Sequence, residues 1–155
     1  MRTQFPKTVL ELMDKDERVV VLLGDIGVAK FTEVMAKYPT RCLNVGILEQ
    51  SMVGMAAGLA MAGFIPIVHT IEPFLVERAF EQIKDDFGYQ ELKGTFVGVN
   101  LIDTAPNLGY THQTPYAMQM ISLVKGLSAF EPTTPEEFDK LLKENYEGLN
   151  YFRIS

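Results

Sequence analysis

The sequence predicts an α/β fold: a doubly wound, mostly parallel six-stranded sheet with helices on both faces. Three observations carry that expectation. Segments of helical period alternate with short apolar runs along the whole chain, the pattern of a sheet built from crossover units. The runs are continuous rather than alternating in polarity, as in Arg18-Val19-Val20-Val21-Leu22-Leu23, which marks strands covered on both faces. The 155 residues, 47% hydrophobic and 22% charged, suit one domain, residues 1–155, with a sizeable core.

Each element has its own signal. Phe5, Val9, Leu10 and Met13 recur at helical spacing, so Thr3 to about Asp16 reads as an amphipathic helix. The strand Arg18–Leu23 ends in a turn, Gly24-Asp25-Ile26-Gly27. Ala29–Tyr38 carries Phe31, Val34, Met35 and Tyr38 on one face, and Pro39 stops it. Arg41–Val45 is a second strand. It feeds a helix of small and flexible apolar residues that runs to Gly63, with Glu49 at its start. A helix apolar nearly all round is expected to be buried. Phe64–Thr70 is a third strand, with Pro66 early enough for its missing N–H to be tolerated. Pro73 can open a helix from Phe74 to about Phe87, and Thr95–Val99 is a fourth strand. Asn100–Pro115 is a long polar loop, of the kind that is usually functional or disordered. Ala117–Val124 reads as a helix and Leu127–Phe130 as a fifth strand. Thr134-Pro135-Glu136-Glu137 places a capping box, with Pro at the first helical position, before a helix to about Tyr146. Asn150–Ile154 is the sixth strand.

Composition narrows the function. A formal net charge of −6 argues against nucleic acid and anionic membrane surfaces, which select basic patches. One cysteine, Cys42, allows neither an intramolecular disulfide nor a cysteine-cluster metal site. The most apolar stretch, Met52–Ile67, is too short and too rich in Gly and Ala to span a bilayer. With no secretory leader read, the expected setting is the cytoplasm. No Gly-x-Gly-x-x-Gly follows a strand, and neither a Walker-type loop nor a Gly-x-Ser-x-Gly elbow is present. The two histidines, His69 and His112, lack metal-ligand spacing, and no metal ligand is assigned.

In a doubly wound sheet, ligands lie outside the carboxyl ends of the strands. Those ends are Gly24-Asp25-Ile26, Val45-Gly46, His69-Thr70 and Asn100, so Glu49 and the polar loop are expected to converge there. A carboxylate at a helix start is favoured by the macrodipole. If it is instead carried into an apolar interface, its pKa rises and it can donate a proton.

Several stretches together resemble one family. Gly24-Asp25-Ile26, Pro39-Thr40-Arg41, Asn44-Val45-Gly46-Ile47-Leu48-Glu49-Gln50 and Met52-Val53-Gly54-Met55-Ala56-Ala57-Gly58-Leu59-Ala60 come first. Thr70, Phe74, Arg78-Ala79-Phe80-Glu81-Gln82-Ile83, Thr111-His112-Gln113 and Asn150-Tyr151-Phe152-Arg153-Ile154 follow in order. The set is similar to the pyrimidine-binding domain of transketolase over nearly the whole chain. Deoxyxylulose-phosphate synthases and the beta subunits of 2-oxoacid dehydrogenases share parts of it.

The resemblance implies the thiamine diphosphate-binding fold of pyrimidine type, with the cofactor held at a subunit interface. Glu49 would hydrogen-bond the pyrimidine ring nitrogen as the catalytic acid, supporting the imino form that takes the thiazolium-carbon proton. Phe74 would stack on the ring, Ile26 would lie near the thiazolium, and Ile47 and Arg78 would line the cofactor pocket. His112, Asn100 and His69 would face a small-molecule substrate. Each position keeps an ordinary reading beside this one: core packing for Phe74, Ile26 and Ile47, a local loop bond for His112, a strand-end histidine for His69. Asn100 and Leu108 stand where transketolases often have a histidine and a hydroxyl-reading aspartate, which points away from the ordinary sugar phosphate. The family's Gly-Asp-Gly diphosphate and metal motif is missing, as is its C-terminal domain.

The leading expectation is therefore the pyrimidine-binding half of a split transketolase-like enzyme, inactive alone. Magnesium and the diphosphate site would come from a partner subunit, in a homodimer or a heteromer. The alternatives are a non-catalytic assembly or regulatory module of the same fold, a subunit of one of the two related enzymes, or a generic ligand-binding domain.

Overall fold

The computed structural model describes residues 1–155, and its six strands form one sheet. Helix α1 (Gln4–Lys15) leads into β1 (Val19–Leu23), a 3₁₀ turn at Val28–Lys30, α2 (Thr32–Lys37) and β2 (Cys42–Asn44). Next come α3 (Glu49–Met61), β3 (Ile65–Ile71), α4 (Glu72–Val76), α5 (Phe80–Gln82) and a π-helical segment, Ile83–Tyr89. After β4 (Gly94–Val99), the long loop carries 3₁₀ turns at Pro106–Leu108 and Tyr110–His112. Then follow α6 (Ala117–Ile121), β5 (Ser128–Phe130), α7 (Pro135–Asn145) and β6 (Leu149–Ile154). No helix is long and apolar enough to cross a membrane.

All neighbouring strands are parallel, in the order β2-β1-β3-β4-β6-β5. The chain steps from β1 outward to β2, then crosses back to β3 on the other side of β1. The winding therefore reverses between β1 and β3, the switch point outside which the ligand crevice of such sheets lies. Val19, Val21 and Leu23 join α1, α2 and α7 in a core of 19 buried residues, while Val20 and Leu22 join α3, α4 and α6 in one of 17. Two cores of nearly equal size cover both faces of the inner strands, which is why β1, β3 and β4 are buried almost throughout and read as unbroken apolar runs.

Three elements differ from their sequence expectation. The helix expected from Phe74 to about Phe87 breaks after α4. The amides of Glu77 and Arg78 both donate to the Pro73 carbonyl, at 2.9 and 3.2 Å, and Ala79 leaves helical geometry at φ −109°. This widened turn lets Ala79 and Ile83 enter the core while Arg78 swings toward the start of α3. The expectation of a helix buried all round holds for one face of α3 only. Met52, Val53, Ala56 and Ala57 are buried, whereas Gly54, Met55, Gly58 and Met61 are exposed. At α7 the capping box closes one residue early: Thr134 Oγ1 accepts from the Glu137 amide at 3.1 Å, but Glu137 Oε2 accepts from the Thr133 amide at 2.7 Å.

His69, at the end of β3, is a core residue. It is 3% exposed, its ring meets Phe5 edge-on at 4.9 Å between centroids, and Nδ1 lies 2.9 Å from the Val97 carbonyl. Nδ1–H donates there in the neutral ring, which leaves Nε2, beneath Gly27, as an acceptor. Burial pushes its pKa down to about 4 from an ordinary 6.5. The unfolded chain thus takes up a proton near pH 6.5 that the folded chain refuses until about pH 4. The contribution of His69 to stability is complete above pH 6.5 and is lost as the pH falls toward 4. Urea unfolding across that window should show a loss approaching about 1.4 kcal/mol per pH unit, and His69→Asn should flatten the slope. An unchanged slope in the variant would assign the acid sensitivity to other groups.

Candidate functional site

At the switch point the strand ends lie close together because Gly24 follows β1. A Cβ there would lie 2.9 Å from both Cβ and Oγ1 of Thr70, so only glycine lets the two strand ends come this close. The Gly24 amide donates to the His69 carbonyl at 2.8 Å. Beyond Gly24 the backbone of Asp25 takes φ 57°, costly for a residue with a side chain. Asn44, at the end of β2, holds it there. Asn44 Oδ1 accepts from the Asp25 amide at 3.0 Å, and Asn44 Nδ2 donates to Asp25 Oδ1 at 2.9 Å. The pair fixes the two loops that carry Ile26 and Ile47.

Glu49 is the first residue of α3 and is 1% exposed. Its carboxylate is fully engaged: Thr70 Oγ1 donates to Oε1 at 3.2 Å, and Arg78 Nη1 donates to Oε2 at 2.7 Å. The Arg78 guanidinium also lies over the Phe74 ring, 4.1 Å from its centroid, a favourable cation–π geometry. His112 meets the same ring at 5.0 Å and 73° between planes, and the Thr111 hydroxyl lies 2.9 Å from its Nδ1. Five side chains from β3, α3, α4, the α4–α5 break and the long loop thus form one continuous contact chain: Thr70, Glu49, Arg78, Phe74, His112. The arrangement combines a buried acid, an aromatic face and a planar cation at the mouth of the crevice.

Four other residues singled out in the sequence lie apart from that chain. Ile26 is half-buried and packs against the core on the α1 side of the sheet. Ile47 stands 68% exposed between β2 and α3. Asn100 is spent locally, its Oδ1 accepting from the Ile102 amide at 3.0 Å where the long loop begins. His69 is enclosed as described, with only its Nε2 edge turned toward the turn after β1.

Sequence reasoning missed a second buried carboxylate. Glu72, the first residue of α4, is fully buried, accepts from Tyr151 Oη at 2.7 Å and pairs with Arg153 Nε at 3.0 Å. Tyr151 and Arg153 stand two residues apart on β6 and so share a sheet face. That spacing was the available signal, but nothing in it named Glu72 as the partner.

Comparison with known proteins places this geometry in context. Residues 1–154 match the family described as transketolase, pyrimidine binding domain. An uncharacterized 33.6 kDa protein of the fasciation locus in Rhodococcoides fascians is 38% identical, covering 100% of this chain and 50% of that protein. One of the subunits of an apulose-4-phosphate transketolase from Actinobacillus succinogenes is 33% identical over 88% of this chain and 44% of its own length. Among solved structures, a split gene transketolase described as an inactive beta4 tetramer superposes with a TM-score of 0.85 at 28% identity, over 98% of this chain and 50% of that one. The chain spans about half the length of these relatives.

The Glu49–Arg78 pair can be tested without any ligand. Removing one partner of a buried pair costs about 3–5 kcal/mol. The Arg78 side chain is 41% exposed, so solvent screening reduces the expected loss for Arg78→Met to about 1–3 kcal/mol. The double variant Glu49→Gln/Arg78→Met should recover part of it, because no charge is then left buried. Urea unfolding of both variants beside the parent chain measures this, and equal losses in the single and double variants would mean that the ion pair adds nothing to packing.

Proposed function

The chain belongs to the family of transketolase pyrimidine-binding domains, and on that premise we propose that it is the pyrimidine-binding half of a split, thiamine diphosphate-dependent transketolase-like enzyme. The single observation that carries the reading is the junction of Glu49, Arg78 and Phe74 at the mouth of the switch-point crevice. The residues fit the pyrimidine end of the cofactor. Glu49 offers a fixed, water-excluded carboxyl to a ring nitrogen, and Thr70 holds its second oxygen. Phe74 offers a ring face for stacking. Arg78 must turn aside from that face for a ring to occupy it, which its half-exposed guanidinium permits.

The diphosphate end finds no comparable fit. Arg78 is already committed to Glu49, and the whole segment from Asn100 to Val124, the long loop and α6, contains no Lys or Arg. We assign the diphosphate and magnesium sites to a partner subunit. The exposed face of α3, with Gly54, Met55, Gly58 and Met61, together with Ile47 and Leu48, is the surface on which a second subunit would seat. That subunit is a copy of this chain or the diphosphate-binding half. The lone Cys42, buried and without a pairing partner, fits the cytoplasm.

Held in this way, thiamine diphosphate would supply the carbanion chemistry at a carbonyl on which ketol transfer depends. The part of this chain is to hold the aminopyrimidine so that proton movement is directed. Glu49, once Arg78 has turned aside, holds the proton at the ring nitrogen, Phe74 fixes the ring plane, and His112, edge-on to Phe74, faces the substrate side.

In the complex reconstituted with the diphosphate-binding subunit, Glu49→Gln should leave partner association and cofactor affinity nearly unchanged. Hydrogen–deuterium exchange at the thiazolium carbon should slow by about 10²–10⁴-fold, the usual contribution of a positioned proton transfer. Equally fast exchange in the variant would remove Glu49 from the mechanism. If neither form exceeds free cofactor, the chain is an assembly module rather than half of an active site.

A further inference from the structure

Phe74 and Arg78 are set by α4 and the break that follows it, yet α4 has little of its own to fix its position. It is five residues long, its N-cap Ile71 contributes no side-chain cap, and it ends at a widened turn. A helix this short gains almost nothing from cooperativity and must be located by tertiary contacts. Beyond the apolar contacts of Leu75 and Val76, the polar contact that locates it comes from its first residue. Glu72 takes one bond from Tyr151 Oη at 2.7 Å and pairs with Arg153 Nε at 3.0 Å. Arg153 reaches on to Glu131 Oε1 at 2.9 Å.

The sheet is shaped to receive this carboxylate. Thr70, Gly98 and Arg153 are register partners across β3, β4 and β6. Thr70 touches Glu49 at one end of the row and Arg153 touches Glu72 at the other. Between them, Gly98 leaves the notch that Tyr151 Oη fills: a Cβ on residue 98 would lie 2.5 Å from that oxygen. A buried ion pair is seldom more stabilising than apolar side chains of the same volume, so stability alone gives no reason for this one. Directional bonds do fix where a helix starts, and Phe74 follows two residues after Glu72. Burial raises the Glu72 pKa, with Tyr151 and Arg153 opposing that rise.

We propose that Glu72 is a positioning residue: held by Tyr151 and Arg153, its carboxylate sets the start of α4 so that Arg78 reaches Glu49 across the face of Phe74. Its value for catalysis rests on the reading of Phe74 as a cofactor contact, so the test separates the two. 4-Fluorophenylalanine at position 74 of the full chain gives a fluorine resonance that reports the ring's surroundings with no cofactor or partner present. A second label at Phe138, on the opposite face of the sheet, is the control. Glu72→Gln and Tyr151→Phe should each shift or split the resonance at 74 and leave the one at 138 in place. A merely structural role would lower the melting temperature without that selectivity. An unmoved resonance at 74 in both folded variants overturns the proposal, and Tyr151→Phe, which deletes one oxygen, remains informative should Glu72→Gln fail to fold. In the reconstituted complex, cofactor affinity should fall by roughly tenfold or more, with partner affinity unchanged. A moved resonance with undiminished cofactor affinity upholds the positioning role and overturns the reading of Phe74 as a cofactor contact.

Discussion

A carboxylate that is 1% exposed has to be bonded, and much of the architecture at the carboxyl edge of the sheet follows from bonding Glu49. Thr70 must stand at the end of β3, close against a Gly24 that has no side chain to keep it away. Arg78 must reach back to Glu49 from the turn after α4. That same widened turn delivers Ala79 and Ile83 to the core. The end of β3 and the turn after α4, 21 and 29 residues beyond Glu49, are in this way tied to its one pair of oxygens.

The aromatic and polar groups around that carboxylate divide the site between two layers of the fold. Phe74, Arg78 and His112 come from the side of the sheet covered by α3, α4 and α6. Ile26 leans on the core under α1, and His69 is sealed between β3 and Phe5. Side chains at successive positions of a strand point to opposite faces, so Thr70 reaches Glu49 while its neighbour His69 cannot follow it.

That alternation also explains what the sequence made legible. The strands were plain because their apolar runs have no polar face to conceal, and Glu49 stood out as an acid opening an apolar helix. His69 was drawn toward the substrate by its place at a strand end, although period two put it on the other face. The break after α4 was hidden because Phe74, Ala79, Phe80 and Ile83 fit a helical period. Two amides sharing the Pro73 carbonyl, not a change in hydrophobic pattern, undo the helix. Glu72 read as an acid favourable in a first helical turn, and its burial depends on residues about 80 positions later in the chain.

Gly98 and Tyr151 carry a consequence for how this sequence can drift. The phenol oxygen occupies the volume in which any larger residue 98 would place its first carbon. Neither position can then change freely. A relative with alanine or serine at 98 must have surrendered the hydroxyl at 151, and a chain that keeps the tyrosine is confined to glycine on the neighbouring strand. The two sites should covary as an exclusive pair, with Glu72 following the tyrosine.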